Sequence, residues 1–218
     1  MRGITFGTYD TAAQQWTLAS WSLSPAVYKA NLVQVPASDL VLDLSTALTD
    51  GEARYSPRTL TVTLETSVGD RLTRKGRIDQ AINQLSGKSV NIILPDDNAH
   101  YLTGRLNLQE MYNTPAHASL LITATCDPWM YSAEETVYTL TAAAEQQEAT
   151  VSNDGRRSVV PTVTVADGSV HIGYGASSWD LSEGTYQIPD LYITPGNHTV
   201  TYSGTGTITI RYRKAVLS

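Results

Sequence analysis

The sequence predicts a mainly β protein that carries one helix in its first part and continues into a compact all-β second part. Thr, Val and Tyr are abundant, and these residues fit the pleated, half-buried surface of a sheet. Apolar residues alternate with period two through Arg58–Thr66, which indicates a strand with one buried face. After Thr136, turn residues such as Asn153-Asp-Gly155 and Pro195-Gly196-Asn197 separate roughly seven short strands, a spacing typical of a β-sandwich.

The residues before the first long strand predict short strands joined by polar turns. Loosely alternating apolar side chains, bounded by turn residues, are typical of such strands. The short apolar segments are Trp16–Leu23, Tyr28–Val35 and Val41–Leu44. A loop over Thr46–Pro57 follows them, marked by Asp50-Gly51 and Ser56-Pro57.

One helix is predicted near Arg74–Leu85. Its apolar residues fall near one face at helical spacing, and they are Leu72, Ile78, Ala81, Ile82 and Leu85. Gly87 stands where the residue after the C-terminal cap needs a left-handed backbone, so we expect a positive φ there. The strands predicted after the helix are Val90–Leu94, Tyr101–Met111 and Ser119–Thr125, and Pro128 is expected to end the last of them.

The second part is expected to begin near Tyr131–Glu135. We therefore place a first domain at residues 1–133 and a second at residues 134–218. Residues 142–148 fit either a short helical turn or a loop, and Ser177–Asp180 resembles a turn. The strands predicted in this part are Val137–Thr141, Ala149–Ser152, Val159–Val165, Val170–Tyr174, Thr185–Ile188, His198–Tyr202 and Thr207–Tyr212.

Composition excludes several classes of function. The formal net charge of -6 and the pI of about 5.1 disfavour binding to DNA or to anionic membranes, since both depend on Lys and Arg. No segment approaches the roughly 20 apolar residues of a membrane span. The start of the sequence lacks the apolar run of a signal peptide, so we expect a chain made in a cytoplasm. Cys126 is the single cysteine, so no intrachain disulfide can form.

No motif points to catalysis, a cofactor or a metal. The four histidines, His100, His117, His171 and His198, are not at metal-ligand spacing from one another or from Cys126. Cys126 lies in no nucleophile motif, and the sequence has no nucleophile elbow, phosphate loop or dinucleotide fingerprint. We therefore expect a protein that is not an enzyme. A small hydrolase with a site assembled across the fold remains an alternative.

A basic cluster stands at the start of the predicted helix, formed by Arg71, Arg74, Lys75 and Arg77. Cations at a helix N-terminus oppose the helix dipole, so their position is unfavourable within one chain. Simple exposure, carboxylates of a neighbouring subunit and DNA are three ways to accommodate them. We favour inter-subunit contacts, because the rest of the chain is acidic.

Aromatic residues of the second part leave a different function open. Trp179, Tyr174 and Tyr186 could stack on sugar rings if they were exposed on the sandwich. The same residue types also fill sandwich cores and protein interfaces. Exposure of Trp179 beside polar groups would favour a carbohydrate-binding protein.

Several short phrases, in order along nearly the whole chain, resemble the distal tail (Dit) proteins of long-tailed bacteriophages. The phrases are Asp43-Leu-Ser45 within 35–50, Tyr55-Ser-Pro-Arg58, Leu85-Ser-Gly-Lys88, Tyr101-Leu-Thr-Gly-Arg105, Cys126-Asp-Pro-Trp129, Asn153-Asp-Gly155 followed by Val160-Pro-Thr162, and Gly204–Tyr212. The resemblance implies a split-barrel-like first domain followed by a galectin-like β-sandwich.

The resemblance also implies a structural function. The first domain would form a hexameric ring, the belt of a siphophage or prophage tail, that joins the tail tube to the tail tip or baseplate. The implied partners are other copies of the chain, the tail tube protein, the tail-tip hub or tail-associated protein, and a receptor-binding protein. The implied location is the virion tail, without a cofactor, a membrane or sequence-specific nucleic acid.

Overall fold

The computed structural model describes residues 3–47, 49 and 51–217. The chain forms two compact units, one that runs up to Met130 and takes in Leu217, and a second that spans Tyr131–Val216. Most regular structure is β-strand, with one α-helix in the described chain, so the predicted mainly β fold is confirmed. No helix among the described residues is long and apolar enough to cross a membrane. The predicted loop marker Asp50 lies outside the described residues.

The first unit is organised around one large antiparallel sheet and one helix. Its elements are β1 (Thr5–Phe6), β2 (Tyr9–Asp10), β3 (Thr17–Leu23), β4 (Leu32–Gln34), β5 (Val41–Asp43), β6 (Arg58–Thr66), α1 (Arg71–Leu85), β7 (Ser89–Leu94), β8 (Asp97–Asn113) and β9 (Ala118–Ser132). The sheet runs in the order β2-β1-β7-β8-β9-β6-β3. Strands β4 and β5 pair only with each other in the described structure.

The period-two alternation of β6 places one side of this sheet in the core. Leu60, Val62 and Leu64 are fully buried, and the threonines between them point away from the core. Helix α1 adds Ile78 and Ala81 to the core. Leu72 was predicted on the same apolar helix face, but it is 80% exposed. Apolar spacing alone therefore placed it on the wrong side of the helix.

The helix ends are defined by local caps. The Asp70 carboxylate accepts a hydrogen bond from the Thr73 backbone N–H at 2.8 Å, so the helix begins three residues earlier than predicted. Hydrogen bonds with the Thr73 side chain and with its backbone N–H hold the pKa of Asp70 below its usual value. At the other end, Ser86 is the C-cap and Gly87 has a φ of +79°, which confirms the predicted left-handed backbone.

The prediction that Pro128 ends its strand is wrong. Strand β9 continues from Ala118 to Ser132. The pairing of β9 with β6 ends at the pair of Cys126 and Arg58. Residue 128 therefore does not have to donate a backbone hydrogen bond to β6. A proline is tolerated in a strand where no ladder hydrogen bond is needed from it.

The second unit is a sandwich of two four-stranded antiparallel sheets. Its strands are β10 (Thr136–Thr141), β11 (Gln147–Asn153), β12 (Thr162–Ala166), β13 (Val170–Tyr174), β14 (Ser177–Leu181), β15 (Gly184–Gln187), β16 (Gly196–Gly204) and β17 (Thr207–Tyr212). A ninth short strand, β18 (Ala215–Val216), belongs to neither of these sheets. One sheet runs β10-β17-β12-β15 and the other β11-β16-β13-β14. Val163 and Ile208 of the first sheet share a core with Ile172 and Val200 of the second.

Two predictions for this unit are settled by pairing. Ser177–Asp180 is not a turn, because Ser177–Leu181 forms β14 and pairs residue by residue with β13. Residues 142–146 lie outside regular structure, so the loop alternative is correct there and β11 begins at Gln147. Whether the sandwich is galectin-like stays a prediction.

Candidate functional site

The described residues offer little for catalysis. No group of three or more His, Cys, Asp and Glu side chains within the described ranges is placed to hold a metal ion. Two histidines contact carboxylates within their own hairpins, His100 with Asp97 at 2.8 Å and His171 with Asp180 at 2.6 Å. Each is a contact between one histidine and one carboxylate.

The single thiol is inert by environment. Cys126 is buried in β9, and burial raises its pKa to about 11. Gly104 of β8 lies against it, so closely that a Cβ added there would stand 2.6 Å from the sulfur. At neutral pH the group is a protonated thiol packed in the sheet, which is a poor nucleophile.

The four basic residues of the predicted inter-subunit cluster have different environments in the structure. Arg74 is only 1% exposed, and its guanidinium donates to the backbone carbonyl oxygens of Gly69, Thr114 and Pro115. It ties the start of α1 to the turn between β8 and β9. The premise that a cation here lacks partners within its own chain is therefore wrong for Arg74. Backbone carbonyls compensate its charge, and spacing along the helix could not reveal them.

Lys75 and Arg77 also have partners within the chain. The Lys75 ammonium lies 2.8 Å from Asp79 and 2.8 Å from Glu110, and hydrogen bonds to these carboxylates raise its pKa. Arg77 donates to the Thr66 hydroxyl at 3.0 Å and to the Gln15 side-chain oxygen at 2.7 Å.

Arg71 differs from the other three. It is exposed, and its guanidinium makes no hydrogen bond or ion pair with any described residue; only its backbone carbonyl accepts, from the Asn113 side chain. An inter-subunit role for the cluster stays a prediction. Of its members, Arg71 is the one whose side chain is free to make such a contact.

The three aromatic residues predicted as sugar contacts pack against the sandwich core. Tyr174, Trp179 and Tyr186 are each half-buried against the buried cluster between the sheets. The Tyr186 hydroxyl donates to the Ser182 carbonyl oxygen at 3.0 Å, and the Tyr174 ring lies 5.8 Å from the His198 ring. Trp179 is half-buried against the core, and a role of these residues in sugar binding stays a prediction.

Six exposed large apolar side chains lie together in a segment where sequence analysis predicted ordinary short strands. Residues 31–45, which we call the arm, form the two-stranded hairpin of β4 and β5. All six strand residues are exposed. The exposed large apolar side chains of the arm are Leu32, Val33, Leu40, Val41, Leu42 and Leu44. The apolar strand pattern was visible in the sequence, but nothing local showed that no core would cover it.

The arm is firmly attached at its base. The Asn31 backbone N–H donates to the Ser45 hydroxyl at 2.7 Å, and the Leu44 N–H donates to the Asn31 carbonyl oxygen at 2.9 Å. Below this closure, the Tyr55 ring packs edge-on against Tyr28 and against Trp129 of β9. The hydrogen bonds close the hairpin of the arm, and the aromatic contacts hold the segments on either side of it against the main sheet.

Buried Arg58 strengthens the same attachment. Its Nε donates to the Ser24 carbonyl oxygen at 2.7 Å, and the Thr59 N–H donates to the Ser24 hydroxyl at 2.8 Å. Burial lowers the pKa of Arg58 from its ordinary value. These bonds join Ser24, the residue after β3, to the first residues of β6.

A second surface feature lies at the start of α1. Arg71, Leu72 and Lys75 of the helix and Glu110 and Asn113 of β8 line a shallow groove of about 490 Å³, which we call the α1 groove. Leu72 is 80% exposed, more than any of the large apolar residues of the arm. The groove combines the exposed Leu72 with Arg71 and with the ion pair of Lys75 and Glu110.

The fold is that of a known phage protein. Over 97% of this chain and 98% of the other, it is similar to the crystal structure of the SPP1 Dit protein, with a TM-score of 0.68 and 14% identity. That protein is described as a paradigm of the hub adsorption apparatus in phages that infect Gram-positive bacteria. The resemblance read from the short phrases is thus confirmed at the level of fold. No family model and no curated protein matches the sequence.

Proposed function

We propose that this chain is a structural hub of a siphophage or prophage tail, and that it acts without catalysis. The observation that carries the proposal is the match of both units, over nearly the full chain, to the fold of the SPP1 Dit protein. A match confined to one unit would have fitted many unrelated β proteins, since folds are shared between functions. A match that runs through both units in the same order points to one two-domain architecture.

In this function the first domain, residues 1–133, forms a hexameric ring with other copies of the chain. The exposed apolar arm supports self-association, because contiguous exposed apolar surface marks interaction sites in soluble proteins. A ring needs a head-to-tail interface with two different faces, which closes when rotation brings the last copy back to the first.

The ring would link the tail tube protein to the tail-tip hub or tail-associated protein, and through it to a receptor-binding protein. Its location would be the virion tail, after assembly in the cytoplasm of the host bacterium. The net charge of -6 suits a channel for DNA, because an acidic wall offers few contacts to phosphates.

The decisive test is the position of the protein in assembled tails. An epitope tag on the second domain, detected by gold-labelled antibody in electron micrographs, should mark the junction between tube and tip. A tag on the tube protein provides the control, with label along the tube length. Tagged, functional tails that carry no label at the junction would refute the proposal.

The alternative function is that of a carbohydrate-binding protein that uses the β-sandwich. Its candidate residues Tyr174, Trp179 and Tyr186 contribute to the sandwich core.

A further inference from the structure

We propose that the outer face of one sheet of the sandwich binds an acidic glycan, a hydroxyl-rich polymer that carries carboxylate or phosphate groups. The face belongs to the sheet β10-β17-β12-β15, and its side chains alternate with those that point into the core. We call it the threonine face, and it consists of Val137, Thr139, Thr141, Thr162, Thr164, Ala166, Thr185, Gln187, Thr207, Thr209 and Arg211. The proposal concerns the single chain and goes beyond the hub function.

Strand register gathers the threonines of this face into rows. Thr209 of β17 pairs with Thr139 of β10 on one side and with Thr164 of β12 on the other. Thr164 in turn pairs with Thr185 of β15, so one row of threonines crosses the whole sheet. Neighbouring strands are about 4.8 Å apart, which sets the spacing within the row. Because Thr is branched at Cβ, its χ1 angle is restricted, and the hydroxyls are held in place before a ligand binds.

The hydroxyls of the face keep capacity for further hydrogen bonds. Thr164 Oγ1 and Thr185 Oγ1 lie 3.2 Å apart, and the Gln187 side-chain amide donates to Thr162 Oγ1 at 3.3 Å. A hydroxyl can donate one hydrogen bond and accept two. These contacts therefore leave donors and acceptors for the hydroxyl groups of a ligand.

Arg211 supplies the charge of the face. It lies in the next row, where it pairs with Val137 on one side and with Thr162 on the other. Its side chain is exposed, and it makes no hydrogen bond or ion pair with any described residue. None of the residues of the threonine face is a carboxylate that could neutralise it. A guanidinium binds carboxylate and phosphate through paired hydrogen bonds, so the charge of the face favours an acidic ligand.

The charges of the second unit are segregated in the same sense. Its Lys and Arg residues all lie in two segments, which are joined by a hydrogen bond from the Arg156 N–H to the Ala215 carbonyl oxygen at 2.8 Å. These residues are Arg156, Arg157, Arg211, Arg213 and Lys214. The turns at the other end of the strands carry carboxylates and no cation, and the carboxylates are Glu145, Asp167 and Glu183. The potential around Arg211 is therefore more positive than the net charge of -6 indicates.

The outer face of the second sheet, β11-β16-β13-β14, lacks this combination. It also exposes hydroxyls, including those of the paired Thr150 and Thr199. It carries Glu148, however, and His171 there contacts Asp180 at 2.6 Å. Threonine is common in strands, so rows of hydroxyls alone would be ordinary solvent exposure. An unpaired arginine among hydroxyls, without a carboxylate, distinguishes the threonine face.

The composition of the face favours a glycan over a protein as its ligand. Protein interfaces depend on a few large anchors, most often Trp, Tyr and Arg, that fill pockets of the partner. Val137, at 49% exposure, is the large apolar side chain of the face, and the neighbouring Tyr138 and Tyr186 pack against the core instead. Hydrogen bonds to exposed hydroxyls are individually weak, so we expect low affinity for one sugar unit and measurable binding to a polymer.

Retention of the full chain on polymer-coated beads tests the proposal. Polygalacturonate presents carboxylates on a glycan, and phosphomannan presents phosphates. Dextran is the uncharged glycan control, and polyglutamate is the acidic polymer without sugar hydroxyls. We expect retention on one or both acidic glycans, and the two matrices identify the acidic group. Retention on neither acidic glycan would overturn the proposal, and so would equal retention on dextran or on polyglutamate.

Matched arginine variants test the role of the charge. Arg211→Gln should lower the retained fraction roughly threefold, the effect of losing one exposed ion pair. Arg156→Gln is the control, because Arg156 is also exposed and its side chain also lacks a partner among the described residues, but it lies outside the threonine face. The control should bind like the wild type. Equal losses in the two variants would indicate general attraction by the basic end and would overturn the proposal.

Matched threonine variants test the role of the hydroxyls. Thr164→Val/Thr209→Val removes two hydroxyls from a cross-strand pair of the threonine face while it keeps the shape of the side chains. Thr150→Val/Thr199→Val makes the same change in a cross-strand pair of the other sheet. We expect weaker retention for the first variant alone, with circular dichroism confirming that both are folded. Unchanged retention of the first variant, or equal losses in both, would contradict binding at the threonine face.

Discussion

Two short hairpins in this molecule differ in whether their apolar side chains are buried. The β13–β14 hairpin buries Val170, Ile172 and Leu181 in the core of the sandwich, and β13 also pairs with β16. The arm is of similar size and is also rich in Val and Leu, yet its strand residues are all exposed. Apolar composition therefore indicates that a hairpin needs a covering surface, but the covering surface can belong to the same chain or to another.

The same distinction runs through the rest of the chain. Some residues are buried or hydrogen-bonded within the chain, and chemically similar residues elsewhere are exposed. If this distinction is correct, a change at a tied residue should affect folding, and the matching change at a free residue should affect assembly alone. The four predictions that follow each compare two matched residues, and the first two pairs test this distinction. They run from the largest expected effect to the smallest.

The largest effect is expected in the two hairpins themselves. Ile172→Ala should lower the free energy of unfolding by about 2–5 kcal/mol, because Ile172 is fully buried and its loss leaves a cavity. Leu42→Ala on the arm should change it by less than about 0.5 kcal/mol. Urea unfolding followed by circular dichroism measures both. Equal losses would mean that the arm is packed in the free chain.

The two arginines at the start of α1 form the second pair. Arg74→Ala should destabilise the protein by about 3 kcal/mol, since a buried guanidinium that donates to three carbonyl oxygens is lost. Arg71→Ala should leave unfolding unchanged and weaken association. Thermal melts compare the two proteins. A folded Arg74→Ala protein with the wild-type melting temperature would refute the structural role of Arg74.

Two glycines of the helix region form the third pair, and replacing them with alanine should change the free energy of unfolding in opposite directions. Gly87→Ala should cost about 1 kcal/mol, because a residue with a Cβ is strained at a φ of +79°, although the space there is open. Gly76→Ala lies inside α1 with nothing within 4 Å, and it should stabilise by up to about 1 kcal/mol. Chemical denaturation resolves the two shifts. The same sign for both would contradict this assignment.

The smallest effect concerns thiol reactivity and leaves stability unchanged. Cys126 should resist alkylation at pH 8, since burial raises its pKa to about 11 and little thiolate exists below that value. Asp39→Cys on the arm should be alkylated rapidly under the same conditions. Intact-mass spectrometry counts the modified thiols. Rapid modification of Cys126 in the native protein would show that the sheet around it opens.

Local signals in the sequence were sufficient for elements that depend on near neighbours. Period-two alternation predicted β6 with its observed bounds, and turn residues predicted β13 and β17 with theirs. Gly87 was predictable because the backbone that ends a helix is determined within a few residues. These features need no knowledge of distant parts of the chain.

Tertiary structure decided the features that depend on partners far along the sequence. Pro128 stays within β9 because the pairing with β6 has already ended, and Ser177–Leu181 is a strand because β13 lies beside it. Arg74 is buried because the carbonyls of Thr114 and Pro115, about forty residues away, accept its hydrogen bonds. The arm is exposed because no other described segment covers it. Burial and pairing are set by which segments meet in space, and the order of residues along one segment cannot specify that meeting.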